Sequence, residues 1–567
     1  MIRSTDLTNR PERESEGVSD LEALRQEGLH IRTAALGGSA LSRALQTGQV
    51  GENWLAPRPR SVAAWRTHAT TVRADFPDDA WCRRLAPAFA ATGAAAERLQ
   101  RAAQSGVVVT TGQQPGLFGG PTYTFSKAMG AIALADALEA ALGIPVAPVF
   151  WAATDDADWM EAAVTWVAGA RGLSKAQLAG PATDGVAMAD VPLGDISAAR
   201  AVLGNAFGSA AHGSVIDLID RSYVPQATMG GAYLQLLRAL LEPLGMAVLD
   251  AAHPALREVA DPLLRRALKQ SANILESAQT RARDIERAGY SPQVDVVDGL
   301  SLVFRTATAS QGGQVQRVRE RVPVAEGMQV AREAEVGALG ANVLLRPVME
   351  RAILPTVCYL AGPGEYAYFA QVSPVAEALE AATPVAAPRW ACALVEARSL
   401  MQLEQLGLSE EDLLDPHRAE QRVAHAHVDA ELADTLERLR ITVDAQLRAL
   451  HDAATGPSTP LAAEVVDGLT RDLTHRIDRF ERRVVAGVKR RETELLTQVA
   501  AVRASLRPNG QSPERVLNLM PLLVRYGPRV LSGMREAAAA HADALLHGTG
   551  ADAVESASVR AETAAHS

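Results

Sequence analysis

A chain of 567 residues is too long for one simple core, so two or three domains are expected. Its 48% hydrophobic and 22% charged residues are those of a soluble globular protein, and 4% aromatics beside abundant alanine and leucine favour helix. A formal net charge of -10 argues against a nucleic-acid surface as the main business, and no uncharged apolar run is long enough to span a membrane. Cys82, Cys358 and Cys392 have no CxxC spacing, which excludes a disulfide framework and a zinc site made of cysteines alone. That usage, with a polar N-terminus lacking an apolar signal-peptide core, points to the reducing cytoplasm.

Residues 1–38 read as a flexible leader, and a catalytic core is expected over 39–390. Val107 to Val109 are continuous and β-branched, as in a strand covered on both faces. A turn rich in glycine, amides and hydroxyls follows, and then a helix from about Thr122 to Leu142. Gly112 and Gly116 let the backbone approach a ligand, and the helix start is expected to aim free N–H groups at an anion or polar small molecule. Neither the Walker A spacing nor GxGxxG is present. The chain is basic almost wholly through arginine, with lysine only at 127, 175, 269 and 489, so Lys127 beside the glycine loop is a candidate functional group. Its bland reading is a snorkelling surface lysine.

Val146–Ala153 is a second strand, completing a βαβ unit and hence a parallel crossover. Asp155, Asp156 and Asp158 follow at its carboxyl end, where they can hold an amine, position a metal or act as a base. Alternatively they form a helix cap with acidic first-turn residues; one functional carboxylate and one cap is the favoured division. Met246–Asp250 and Ile353–Ala361 are further strands, giving a doubly wound α/β core with insertions at about 160–245 and 290–340, the latter alternating like an antiparallel hairpin. Asn342 and Arg346 precede the last of these strands, Arg346 as a carboxylate binder or a structural ion pair. Gly362, Gly364 and Glu365 make a second glycine turn into a helix, with Tyr368 and Gln371 on one helical face. The twelve histidines avoid these loops, so no Ser–His–Asp or Cys–His triad has a home.

After Trp390 the pattern changes to narrow apolar seams, Leu432 to Leu450 and Leu473 to Leu506, separated by Gly456-Pro-Ser-Thr-Pro460. These predict an antiparallel coiled-coil arm over 391–507 that serves as a homodimer or bracing element. A helical segment, 508–548, is expected to pack back on the core before a disordered tail, 549–567.

The blocks TGQQPGLFGGPTYTFSKA (Thr111–Ala128), PVFWAATDDADW (Pro148–Trp159), NVLLRPVMERAILPTVCYLAGPGEYAYFAQVSPV (Asn342–Val375), PVAAPRW (Pro384–Trp390), ERRVVAG (Glu481–Gly487) and PERVLNLMPLLVRYG (Pro513–Gly527) resemble the bacillithiol-biosynthesis cysteine-adding family, BshC. The resemblance implies a Rossmann-like core related in fold to class I aminoacyl-tRNA synthetases, connective insertions and a dimerising coiled coil. It also implies condensation of L-cysteine with glucosaminyl-malate. The HIGH and KMSKS signatures of true synthetases are missing. The second block of the family commonly reads EDHD followed by a further histidine, and those histidine positions hold Ala157 and Val164.

Amide formation needs an activated carboxyl, so ATP is the expected cosubstrate on energetic grounds, and no metal site is expected. The catalytic candidates are Asp155, Asp156, Asp158 and Lys127. The binding candidates are Thr111, Gly112, Gln113, Gln114, Gly116, Tyr123, Asn342, Arg346, Gly362, Gly364, Glu365, Tyr368, Gln371 and Arg389. Two rivals stand beside this reading: an amide ligase of the same fold with another amine acceptor, and a non-catalytic coiled-coil protein that binds a small molecule.

Overall fold

Five strands form a parallel sheet: β1 (Val107–Gln113), β2 (Val146–Ala152), β3 (Ala247–Asp250), β4 (Thr356–Ala361) and β5 (Ala386–Pro388). This computed structural model describes residues 18–51, 53–180, 185–311, 314–454 and 462–549. The spatial order is β5-β4-β1-β2-β3, every neighbouring pair being parallel. The chain therefore steps outward from β1 to β3, then returns to lay β4 on the other side of β1. That reversal sets a topological switch point beyond the carboxyl ends of β1 and β4, the place where doubly wound sheets bind ligands. All of β2 and all but the last residue of β1 are buried, which is why their sequences are continuously apolar or small instead of alternating. Gly112 is required by strand packing: a Cβ there would lie 2.6 Å from the Trp151 carbonyl oxygen.

Helix α1 (Tyr123–Leu142) connects β1 to β2, is buried on nearly all sides over its first three turns, and ends at Gly143 in the left-handed conformation. Helix α2 (Arg346–Ile353) leads into β4, and α3 (Pro363–Ala378) leaves it, with Pro363 at its first position. The insertion after β2 contains a two-stranded sheet, Val164–Gly169 with Gly172–Gln177, and then three helices, Ser197–Asn205, Gly213–Ser222 and Met229–Leu241. In the later insertion Leu300–Gln311 pairs antiparallel with Gln314–Pro323 and with Leu339–Ala341.

The chain divides into two units, residues 1–167, 175–394 and 514–567 in one, and 168–174 with 395–513 in the other. The second unit holds the helices Ala430–Ala454 and Ala463–Arg491. Arg440 reaches Asp478 and Glu481 at 2.7 Å each, whereas His451 lies 3.9 Å from Asp467, so the two helices run in opposite directions. The expected turn at Gly456–Pro460 lies outside the described residues. The seam read from Leu473 to Leu506 crosses a break at Glu492, after which a separate helix, Thr493–Leu506, begins.

Within the stretch read as a flexible leader, Asp20–Gln26 is helical and Leu29–Thr33 is a strand, with Leu24 and Leu29 fully buried. Ser19 caps that helix by accepting the Glu22 N–H. Residues 1–17 and 550–567, the rest of the leader and nearly all of the expected tail, lie outside the described residues. The helix Arg529–His547 packs on α1. No helix among the described residues is long and apolar enough to cross a membrane.

Candidate functional site

The crevice between β1 and β4 is closed by an ionic knot. Lys127, 3% exposed, donates from Nζ to the Gly112 carbonyl oxygen at 2.7 Å and to Gln113 Oε1 at 2.9 Å, and pairs with Glu365 Oε2 at 2.5 Å. An ammonium has three protons, and these three acceptors use them all. Glu365 occupies the third position of α3 and reaches back to accept the Gly362 N–H at 2.6 Å, half of a capping box, while Tyr359 donates to its other oxygen at 2.6 Å. Burial alone would push the Glu365 carboxyl upward, but Lys127, Tyr359 and Arg346 hold it below the ordinary carboxylate range. Lys127 is lowered by burial and by the Arg389 and Arg346 cations, against the pull of Glu365.

The knot continues behind β4. Arg346, the first residue of α2, donates to Glu350 Oε2 at 3.1 Å, to the Tyr368 hydroxyl at 3.0 Å and to the Tyr359 hydroxyl at 3.3 Å. Thr110 donates to the remaining Glu350 oxygen. Burial raises the Glu350 carboxyl to about 7, against the opposing effects of Arg346 and Thr110. Both Glu350 oxygens thus accept hydrogen bonds from within the knot. On the β5 side, Arg389 makes a two-pronged buried pair with Glu514, at 2.6 and 2.9 Å, and its guanidinium lies 5.8 Å from the Tyr123 ring centre.

Many polar groups of the glycine turn are held by the rest of the chain. The Thr122 N–H goes to Leu517 O, those of Phe125 and Ser126 to Thr122 O, that of Thr124 to Pro121 O, and that of Gly120 to Leu117 O. Tyr223 accepts the Gly119 N–H and donates to Gly116 O. Asn518, buried, donates to the carbonyl oxygens of Leu117, Phe118 and Gly120. These bonds brace the turn, in which Phe118 takes a left-handed conformation (φ 53°). Buried polar atoms left without a protein partner include Gln114 Nε2 and Arg389 Nε, both donors.

Beyond β2, Asp158 is exposed and accepts the Glu161 N–H at 3.0 Å, the cap among the three aspartates. Asp156 accepts the Asp158 N–H, and burial together with Asp155 raises its affinity for a proton. Arg319 donates to the Asp155 carbonyl oxygen and lies 3.9 Å from its carboxylate. A polar chain links this rim to the knot: Gln113 Nε2 donates to the Tyr123 hydroxyl, which donates to Glu161, each at 3.2 Å.

Other predicted binding residues have structural partners. Asn342 accepts the N–H groups of Leu344 and Leu345 ahead of α2, and Thr111 donates to Leu360 O, tying β1 to β4. Gln371 is turned to the 293–294 backbone, accepting two N–H groups and donating to Val294 O. Gly364 is exposed on the first turn of α3. Glu161, Glu350, Tyr359, Glu514 and Asn518 were not singled out by sequence. The only sequence signal for Glu161 is an acidic residue three positions after a capping aspartate, which reads as an ordinary helix start. Among the described residues no group of three or more His, Cys, Asp or Glu could hold a metal ion.

Sheet order and the buried ionic knot define a Rossmann-like α/β protein with its polar cluster at the topological switch point. The sequence matches the family model "Bacillithiol biosynthesis BshC, N-terminal Rossmann-like domain" over residues 81–390 and "Bacillithiol biosynthesis BshC, C-terminal coiled-coil domain" over residues 392–544. It is 32% identical to the protein named "Putative cysteine ligase BshC" of Solibacter usitatus, over 76% of this chain and 82% of that one. Proteins of the same name from Koribacter versatilis and Geobacillus kaustophilus are 31% and 26% identical, over 78% and 79% of this chain and 83% and 89% of theirs. The chain belongs to the bacillithiol-biosynthesis BshC family.

Proposed function

We propose that the crevice joins the carboxyl group of L-cysteine to the amino group of glucosaminyl-malate as an amide, after ATP-dependent activation of the carboxyl. The observation that carries this reading is the buried Lys127–Glu365–Arg346 knot at the switch point, connected through Gln113 and Tyr123 to an acidic rim. A cationic floor suits carboxylate and phosphate oxygens, and a carboxylate rim suits an incoming ammonium. The relatives' name, cysteine ligase, supplies one substrate.

ATP enters because an amide does not form from a free carboxylate in water without activation. The donors suited to its phosphates are Gln114 Nε2 and Arg389 Nε, both buried and lacking protein partners. Lys127 serves as a strut in this mechanism: its three protons are committed, so it fixes the Gly112 carbonyl and the Gln113 amide. Arg346, committed to Glu350 and two tyrosines, contributes charge from behind the sheet. Asp155 and Asp156 attract the amine, and Asp158 shapes the turn that carries Glu161.

A second reading, the same ligation with a different amine, is favoured by Ala157 and Val164 standing where the family commonly has histidines. Dimerisation belongs to the helical arm, which exposes Leu439, Ile441, Leu450, Val465, Leu469 and Phe480. The reaction belongs to the cytoplasm, where Cys82, Cys358 and Cys392, all unpaired, stay reduced. Purified protein is incubated with cysteine, ATP and glucosaminyl-malate, glucosamine or a second amino sugar, and the products are weighed by mass spectrometry. The cysteinyl amide of glucosaminyl-malate is the expected product. Product with another amine alone supports the second reading, and binding without turnover overturns both.

A further inference from the structure

The hydrogen bonds from Lys127 to the acidic rim have a fixed direction. An ammonium only donates, so Gln113 must present Oε1 to Lys127 Nζ, and this settles which way its amide points. Gln113 Nε2 then donates to the Tyr123 hydroxyl, which spends its own proton on Glu161 Oε1. The series ends on a carboxylate that reaches solvent, on the short helix Trp159–Ala162.

We propose that Glu161 is the proton acceptor for the attacking amine, oriented by Tyr123, Gln113 and Lys127 as positioning residues. The proposal rests on the amide-ligase reading above. Every link in the chain leaves Glu161 as the acceptor, and donation from Tyr123 favours its ionised form. The titratable groups around it are Tyr123, Lys127, Asp156 and Asp158, with Arg389 and Arg515 acting on Tyr123. Partial burial raises the Glu161 carboxyl; donation from Tyr123 lowers it, Asp158 and Asp156 raise it, and Lys127 lowers it. The result is a base with more proton affinity than a free glutamate, as an amine-deprotonating group working near neutrality requires.

In the step itself, the ammonium gives one proton to Glu161 and its freed electron pair attacks the activated cysteine carboxyl carbon. The C–N bond forms, and the C–O bond to the phosphate breaks. The nitrogen's second surplus proton goes to water, and the phosphate oxygen leaves with the bonding electrons.

The test combines two readouts on the full chain. Rate against pH is measured for wild type, Glu161→Gln and Tyr123→Phe with cysteine, ATP and whichever amine wild type accepts. The Glu161 carboxyl is also titrated by carbon NMR, assigned from the resonance missing in Glu161→Gln. Glu161→Gln is expected to lower kcat about 100-fold or more and to abolish the acidic limb of the profile. Tyr123→Phe is expected to move that limb, and the NMR titration, upward by about one pH unit, because the donor that favours the ionised form is gone. A Glu161→Gln profile like that of wild type overturns the proposal. So does a Glu161 titration that Tyr123→Phe leaves in place, and this second readout decides even if no amine is turned over, a result that overturns the ligase reading separately.

Discussion

Replacing Lys127 by methionine keeps an unbranched apolar stem, one heavy atom shorter, and removes the charge and the donors. Glu365 would remain buried with two donors, the Tyr359 hydroxyl and the Gly362 N–H, so it would not be wholly uncompensated. Breaking a buried pair from one side costs about 3–5 kcal/mol, and these surviving donors place Lys127→Met near 3 kcal/mol. Glu365→Gln added to Lys127→Met removes the stranded charge and is expected to recover about half of the loss. The pH dependence has a defined sign. In the wild type the Glu365 carboxyl is held below its ordinary value, so its contribution is present above the unfolded pKa and is lost as pH falls through the folded one. Without Lys127 the folded carboxyl is pushed upward by burial, and the deficit of the mutant widens between about pH 4 and 7. Urea midpoints followed by tryptophan fluorescence across that range measure both effects. A mutant within 0.5 kcal/mol of wild type, with a deficit that does not change with pH, would refute the strut assigned to Lys127.

Glu350→Gln removes a carboxyl whose folded pKa, about 7, exceeds its ordinary value of 4.5. A raised acid makes stability fall as pH climbs between those values, so the substitution is expected to flatten that decline; an unchanged slope in denaturation at pH 5 and 7.5 argues otherwise. Asn518→Leu strips a shared donor from the carbonyls of Leu117, Phe118 and Gly120, and is expected to cost about 3 kcal/mol and to speed amide exchange across the turn. Gly112→Ala sets a methyl 2.6 Å from the Trp151 carbonyl oxygen, forcing β1 from β2; a loss of about 2 kcal/mol or more in the melting transition is expected.

Local patterns carried the frame. The β-branched run at Val107–Val109, the glycine turn and the long apolar helix after it are neighbours in sequence, so periodicity and turn chemistry predict them, and α1 begins within one residue of the expected start. The site was legible where both partners lay in such turns: Lys127, Gln113 and Glu365 were each named, though their convergence on one ammonium was not. What stayed hidden depends on distant partners. Arg389 meets Glu514, and Leu117 and Phe118 meet Asn518, across more than a hundred residues, and no period or motif encodes such pairings. The contacts that brace the glycine turn are distant for the same reason, coming from Tyr223, Leu517 and Asn518. Asn342 and Gln371 looked functional because polar side chains near a strand tip read alike whether they bind backbone or ligand. At Glu492 the apolar spacing runs through a helix break, because spacing records which face is apolar and is blind to a single non-helical residue.

That amide synthesis occurs beyond the carboxyl ends of β1 and β4 is tested most directly by placing a side chain there without deleting a donor or acceptor. At Gly362 an added Cβ would lie 3.1 Å from Glu365 Oε2, 3.5 Å from Lys127 Cε and 3.8 Å from Arg389 Nε, on backbone that any residue adopts. Gly362→Val, assayed in single turnover with cysteine, ATP and glucosaminyl-malate at matched folded fraction, is expected to lose at least about 100-fold in amide formation. A folded Gly362→Val protein that forms the amide at the wild-type rate would place the chemistry elsewhere and contradict the account.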